Sequence, residues 1–329
     1  MSALRGWKPL ALIAAVLLCA APPLLVQNDY LMQVLFRIAL FAGLGLAWNL
    51  VGGYAGQLSL GHVAYFGAGA YGLALFNGLG FPMWISMLLA AVVATVFAGI
   101  IGRIVFRLRG PYFTLATIAF AEVLRLTVTN SSWAGGAIGL TTPSLFTRVE
   151  WKSLELSSVD QFYLAAVVLT LICFLVNAWT SRSRFGYYLM AIREDEETAS
   201  AVGVDTADYK LRALLISAFL TALGGALYGS AFQYIVPDSV LTVDMSIQIA
   251  IITMLGGAGT LLGPIVGAVL LLGASEVFKN QFKEGHLLIY GILIVVVVLF
   301  LPQGIVGGLQ HRFRRKVKPP SEVLNPQHE

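Results

Sequence analysis

Runs of about twenty apolar residues, each closed by charges or by a Gly/Pro cluster, recur along this 329-residue chain. That is the length a helix needs to cross a ~30 Å hydrocarbon core. Cutting at those punctuation points predicts about ten spans, at 9–26, 30–50, 60–79, 83–102, 111–129, 161–180, 211–233, 243–257, 260–276 and 286–302. The stretch 243–276 is one apolar run interrupted by Gly256, Gly257, Gly259, Gly263 and Pro264. It reads either as two short spans or as a re-entrant hairpin, the latter tolerated only where protein shields its backbone from lipid. Composition agrees with a membrane protein: 58% of residues are hydrophobic, 12% are charged and the mean hydropathy is +0.81. A soluble domain carries about 25% charge. The expected fold is therefore an all-α, polytopic integral membrane protein.

Lys and Arg set the orientation, because basic loops stay on the cytoplasmic side. With the N-terminus inside, fifteen of the 21 basic residues fall on the inner side, including Arg103, Arg107, Arg182, Arg184, Arg193, Lys210 and Arg212. Only Arg148, Lys152, Lys279 and Lys283 fall outside. Both termini are thus expected in the cytoplasm, with residues 1–310 forming the membrane domain, 130–160 an outer loop, 181–210 an inner loop and 311–329 a basic tail beside anionic lipid. The first apolar run also admits the reading of a cleaved signal peptide, since its core before Pro22 is short.

Several chemistries drop out. None of the seven lysines follows a glycine, so the chain lacks the phosphate-wrapping P-loop. His62, His286, His311 and His328 are too dispersed for a metal pair on one helical turn, so no metal or cofactor is expected on this chain. The net charge of +4 gives no footprint for nucleic acid. Cys19 and Cys173 lie in apolar runs and read as packing residues. If ATP drives this protein, the ATPase is another polypeptide.

The inner loop 181–210 carries the clearest local signal. Asp195 is placed to cap a short helix, Glu196 and Glu197 complement its dipole in the first turn, and Gly203 stands where a left-handed terminator belongs. A helix of about two turns is marginal alone, so it is expected to pack on its own membrane domain or on a partner. Asp205 to Asp208 then resembles a cap for a helix running through Lys210 into the next span. The alternative is a solvated linker. Within the spans, Glu122 and Arg125 are three apart and share a face; they either fix packing or offer both charge signs to a zwitterion. Gln57, Ser59 and His62, in a glycine-rich setting, either line a path or bond neighbouring helices. The late glycines suit close packing or a broken helix. The segments 53–61 and 257–263 are loosely similar, which hints at an internal duplication.

These residues resemble a known family. Gly52-Gly53-Tyr54-Ala55-Gly56-Gln57-Leu58-Ser59-Leu60-Gly61-His62 is similar to the signature of branched-chain amino acid ABC transporter permeases of the LivM type. Further resemblances are Gly110 to Thr117 with Glu122, Gly135 to Leu140, Ala191 to Val204, and Gly256 to Pro264. The resemblance covers about residues 30–305. It implies an inner-membrane subunit that pairs with a homologous permease, two cytoplasmic ATPases that bind ATP and Mg, and a periplasmic binding protein, working by alternating access. It further implies ATPase coupling at Arg193, Glu194, Asp195, Glu196, Glu197, Ala199 and Gly203. Gln57, Ser59, His62, Thr117, Glu122 and Arg125 are then the pathway candidates. Permeases for urea and short amides share most of these motifs, and an ion-coupled secondary transporter is the competing class. Reversing charge at Asp195 and Glu196 is expected to uncouple uptake from ATP hydrolysis.

Overall fold

A computed structural model of the chain describes residues 21–25, 28–108, 110–141, 156, 158–282, 291 and 304–308. After a single helical turn, Pro22–Leu25, helix α1 (Asp29–Trp48) starts where the Asn28 side chain accepts the amides of Tyr30 and Leu31. It passes without a break into a π-helical turn, Asn49–Tyr54. There follow α2 (His62–Gly78), α3 (Met83–Val105), α4 (Pro111–Thr129) and α5 (Val159–Thr180). Two short helices, α6 (Arg184–Glu194) and α7 (Glu196–Ala201), precede the long α8 (Thr206–Phe232). The remaining helices are α9 (Pro237–Val240), α10 (Val243–Gly256) and α11 (Gly263–Phe282). A two-residue antiparallel pair, β1 (Leu140–Thr141) with β2 (Tyr234–Ile235), joins the two loops at one end.

Among the described residues, six segments are long and apolar enough to cross a membrane: 29–54, 83–105, 111–129, 159–180, 206–232 and 237–256. The sequence-predicted spans from 30–50 to 260–276 each correspond to a helix. The first (9–26) and tenth (286–302) fall largely outside the described residues, as do the tail 311–329 and the middle of the loop 130–160, residues 142–155. The stretch 243–276 resolves into two antiparallel helices, α10 and α11, joined through Gly257 to Leu262. The inner loop departs from expectation: most of it is helical. Ser183 caps α6 by accepting the Gly186 amide, and Gly186, Leu189 and Ile192, three apart, bury one face of it.

Lipid is as apolar as leucine, so these helices associate by close approach rather than by hydrophobic expulsion. Small residues stand at each crossing. A Cβ at Gly69 of α2 would strike the Ala222 carbonyl of α8, and one at Gly225 of α8 would strike the Phe66 carbonyl of α2. Gly267 of α11 meets Ile252 of α10 in the same way. Thr170 of α5 donates to the Ala39 carbonyl of α1 at 2.6 Å. The result is a core around α1, α2 and α8, with α4 the least enclosed span.

Candidate functional site

One end of the bundle carries Arg103, Arg182, Arg184, Lys210 and Arg212 together with the α6–α7 pair. Asp195 ends α6 and caps α7: its Oδ1 accepts from the amides of Glu197 (2.9 Å) and Thr198 (3.1 Å), and its Oδ2 from the Thr198 hydroxyl (2.8 Å). Those donors, the Thr198 amide foremost, hold its carboxyl below the usual aspartate range. Gly203, at φ 89°, closes the helix with two carbonyls satisfied: its amide reaches Ser200 and that of Val204 reaches Ala199. That pairing needs a left-handed residue, which is why glycine stands there.

Two attachments fix the pair to the membrane domain. Lys210, one turn into α8 and 1% exposed, donates to Glu196 Oε1 at 2.6 Å and lies 5.5 Å from the centre of the Phe106 ring beyond α3. Arg193, in the last turn of α6, donates from Nη1 to the Gly53 carbonyl at 2.8 Å. Around it opens a cleft of about 570 Å³, lined by Trp48, Gly52, Leu58, Met254 and Thr260 among others. Of the coupling residues expected from sequence, Ala199 packs inward, and Asp195, Glu196 and Arg193 bond within the subunit; Arg193, Glu194, Asp195 and Glu197 all reach solvent. Beside Gly203, Val202 stands out at 77% exposure.

Below the cleft the two glycine segments meet. Asn49, fully buried, donates to Asn177 Oδ1 and the Thr260 carbonyl (both 3.1 Å) and accepts the Gly259 amide at 2.7 Å. Asn177 in turn donates to the carbonyls of Leu46 and Cys173. Thr260 ties the turn itself, donating to the Gly257 carbonyl and accepting the Gly263 amide. Gly256 packs against the Gly263 carbonyl, and Pro264 lies beside Gly45 of α1. Sequence reasoning passed over Asn49 and Asn177, and it placed Lys210 on the inner side without a partner for it. For the two amides the signal was available, since an amide inside a long apolar run must find a partner there.

Between the π-turn and α2 the chain is irregular, and several of its backbone groups are satisfied by side chains. Trp48 Nε1 donates to the Ser59 carbonyl (2.7 Å), Thr114 to that of Leu58 (2.8 Å), and Thr117 Oγ1 accepts the Leu60 amide (3.2 Å). Ser246 of α10 accepts the Val63 amide at the start of α2. His62 is wholly buried between Ser59 Oγ at 2.9 Å and Ser217 Oγ at 2.8 Å. Ser217 gives its own proton to the Ala47 carbonyl, so His62 Nε2 must be the donor to it and Nδ1 the acceptor from Ser59. Ser59, His62 and Thr117 are therefore buried groups that brace this segment, whereas Gln57 is half-buried with its amide near the Ala55 carbonyl.

Toward the opposite end, Glu122 and Arg125 form the expected pair on α4. Arg125 Nη2 reaches Glu122 Oε1 at 2.6 Å and Nη1 reaches Asp238 Oδ1 at 2.6 Å. Asp238 comes from α9, more than a hundred residues away, and no local spacing could have announced it. The triad shares the face of α4 with exposed Leu115, Val123 and Leu126.

A protein family described as the permease component of branched-chain amino acid transport systems matches residues 30–298. The high-affinity branched-chain amino acid permease LivM of Salmonella typhimurium is 30% identical, covering 94% of this chain and 77% of its own length. LivM of Escherichia coli K12 is likewise 30% identical, over 94% of this chain and 77% of its own length. The autoinducer 2 import permease LsrC of Enterobacter sp. strain 638 is 28% identical over 80% of this chain and 76% of its own. No solved structure matches.

Proposed function

The chain belongs to the family of branched-chain amino acid transport permease components, and we propose that it is one of two homologous membrane subunits of an ATP-driven importer of leucine, isoleucine and valine. In this reading it lies in a bacterial inner membrane with about ten spans and both termini in the cytoplasm. Two ATPase subunits hold ATP and Mg, and a periplasmic protein delivers the cargo.

The observation that carries the reading is the α6–α7 pair: a capped helix at the basic end of the bundle, exposing Val202 and Glu197 yet tied by Glu196 to Lys210 of α8. Such an element can receive a push from outside and deliver it to a span, because its attachment is an ion pair rather than a loose loop. Closure of an ATPase dimer against α7 would displace the start of α8. Since α8 touches α2 backbone to backbone at Gly69 and Gly225, the helices would move together. Alternating access then follows as a shift between two packings of the bundle. Glu122, Arg125 and Asp238 offer both charge signs where a zwitterion would pass.

Two measurements test this. Cells lacking the chain should lose uptake of labelled leucine at sub-micromolar concentration and regain it on complementation. Unchanged uptake, with labelled urea or autoinducer 2 lost instead, would reassign the cargo while keeping the transporter class. Val202→Asp should then leave the chain inserted but abolish co-purification with its ATPase subunits. Asp195 and Glu196 are poor positions for the charge reversal suggested by sequence, because a reversal there would undo the cap or strand Lys210.

A further inference from the structure

The structure points to a second route from α7 into the membrane, carried by the side chain of Arg193. Arg193 lies two residues before the Asp195 cap, so its backbone moves with α7. Although the residue as a whole is exposed, its guanidinium turns inward to the Gly53 carbonyl of the π-turn (2.8 Å). There it also abuts Gly259, where a Cβ would collide with Nη1, and Gly56, where one would come within 2.8 Å of Cγ. Gly259 has φ 81°, so a side chain is excluded there twice, by the backbone and by the arginine. One planar cation thus bridges two turns that interrupt different membrane segments: the one after α1 and the one joining α10 to α11.

We propose that Arg193 is a positioning residue for transport, a strut that makes both glycine turns follow the coupling pair. The inference rests on the reading that α7 meets an ATPase, and it assigns to Arg193 an inward role in place of ATPase contact. Glu196 and Lys210 act on α8, which packs on α1, α2, α3 and α5 and also touches the π-turn, whereas among the described residues Arg193 is the side chain of the α6–α7 pair that meets both the π-turn, at Gly53, and the turn before α11, at Gly259. The adjoining cleft of about 570 Å³ leaves that turn room to shift. A fixed fork of donors suits a strut, and a flexible ammonium does so less well.

The test uses inside-out vesicles carrying the whole transporter. The reporter is Ala258→Cys in a chain with Cys19→Ser and Cys173→Ala, labelled with a maleimide with no nucleotide and after trapping with ATP and vanadate. With Arg193 present, the labelling rate should change by about fivefold or more between the two states. Arg193→Met, which keeps the stem and removes the donors, should erase that change, and Arg193→Lys should restore part of it. Leucine taken up per ATP should fall roughly tenfold in Arg193→Met. A merely structural role would lower the amount of assembled complex and leave both ratios intact, and that result would overturn the proposal. So would an equal nucleotide response with and without the arginine, or no response with it. Because labelling needs no cargo, a vesicle that responds to nucleotide but ignores leucine would defeat the branched-chain reading and leave the strut standing.

Discussion

An ammonium that is 1% exposed has to be neutralised where it sits, and Lys210 meets that demand with Glu196, which is about a quarter exposed, and with the Phe106 ring. Such a pair adds little net stability, but removing one partner leaves an uncompensated buried charge, at a cost of about 3–5 kcal/mol less whatever water reaches the Glu196 side. Glu196→Ala should therefore lower the melting temperature of the purified complex markedly, and adding Lys210→Met should recover most of the loss. Additive losses in the double variant would show that the two residues act independently. Asp195 gives a prediction with a definite sign. Its carboxyl titrates lower in the folded chain than in the unfolded one, so the cap's contribution is fully present above the unfolded value of about 3.9 and disappears as pH falls through the lower folded value. Exchange of the Ala199 and Val204 amides should accelerate as pH drops through that window, after correction for intrinsic exchange. Asparagine caps a helix as well as aspartate does, so Asp195→Asn should keep the helix and flatten that pH response.

Whether an element was legible depended on where its determinants lie. The cap, the acidic first turn and the terminating glycine of α7 are contiguous in sequence, and the structure has them as expected. Likewise α5 follows its apolar run, with only its start moved back to the Ser158–Gln161 capping box. Helix α6 escaped notice because its buried face is just Gly186, Leu189 and Ile192, too short a stripe to stand out, and its other supports are distant: Phe185 stacks on Trp179 and Tyr188 meets Tyr209. Glycines were legible as a class but not one by one. At the α2–α8 crossing, Gly69→Ala or Gly225→Ala must push two backbones apart, an overpacking cost of about 1–3 kcal/mol. Among the described residues no atom lies within 4 Å of the place a Cβ would occupy on Gly273 of α11, so Gly273→Ala should be neutral or stabilise by up to about 1 kcal/mol. Melting of the purified variants separates the two kinds of glycine, and a loss at Gly273 equal to that at Gly69 would refute the packing account.

At the scale of the whole molecule, the chain's charge and its folding agree on two distinct ends. Arg103, Arg182, Arg184, Arg193, Lys210 and Arg212 belong to segments that converge at the α6–α7 end, although they are spread over a hundred residues of sequence. The other end holds Glu276, which accepts from the Tyr30 hydroxyl, together with Asp238 and the β1–β2 pair. Basic loops resist translocation, so the first end should face the cytoplasm. This is open to direct measurement because each end offers a prominent exposed residue: Val202 at 77% and Ile138 at 78%. In a chain lacking Cys19 and Cys173, a membrane-impermeant maleimide added to intact cells should label Ile138→Cys and spare Val202→Cys, and inside-out vesicles should reverse the pattern. The reverse result in cells would turn the protein over in the membrane. Val202 would then face the compartment without ATP, and no ATPase could reach α7. Orientation is therefore a condition that the coupling reading must satisfy, and a single pair of cysteines decides it.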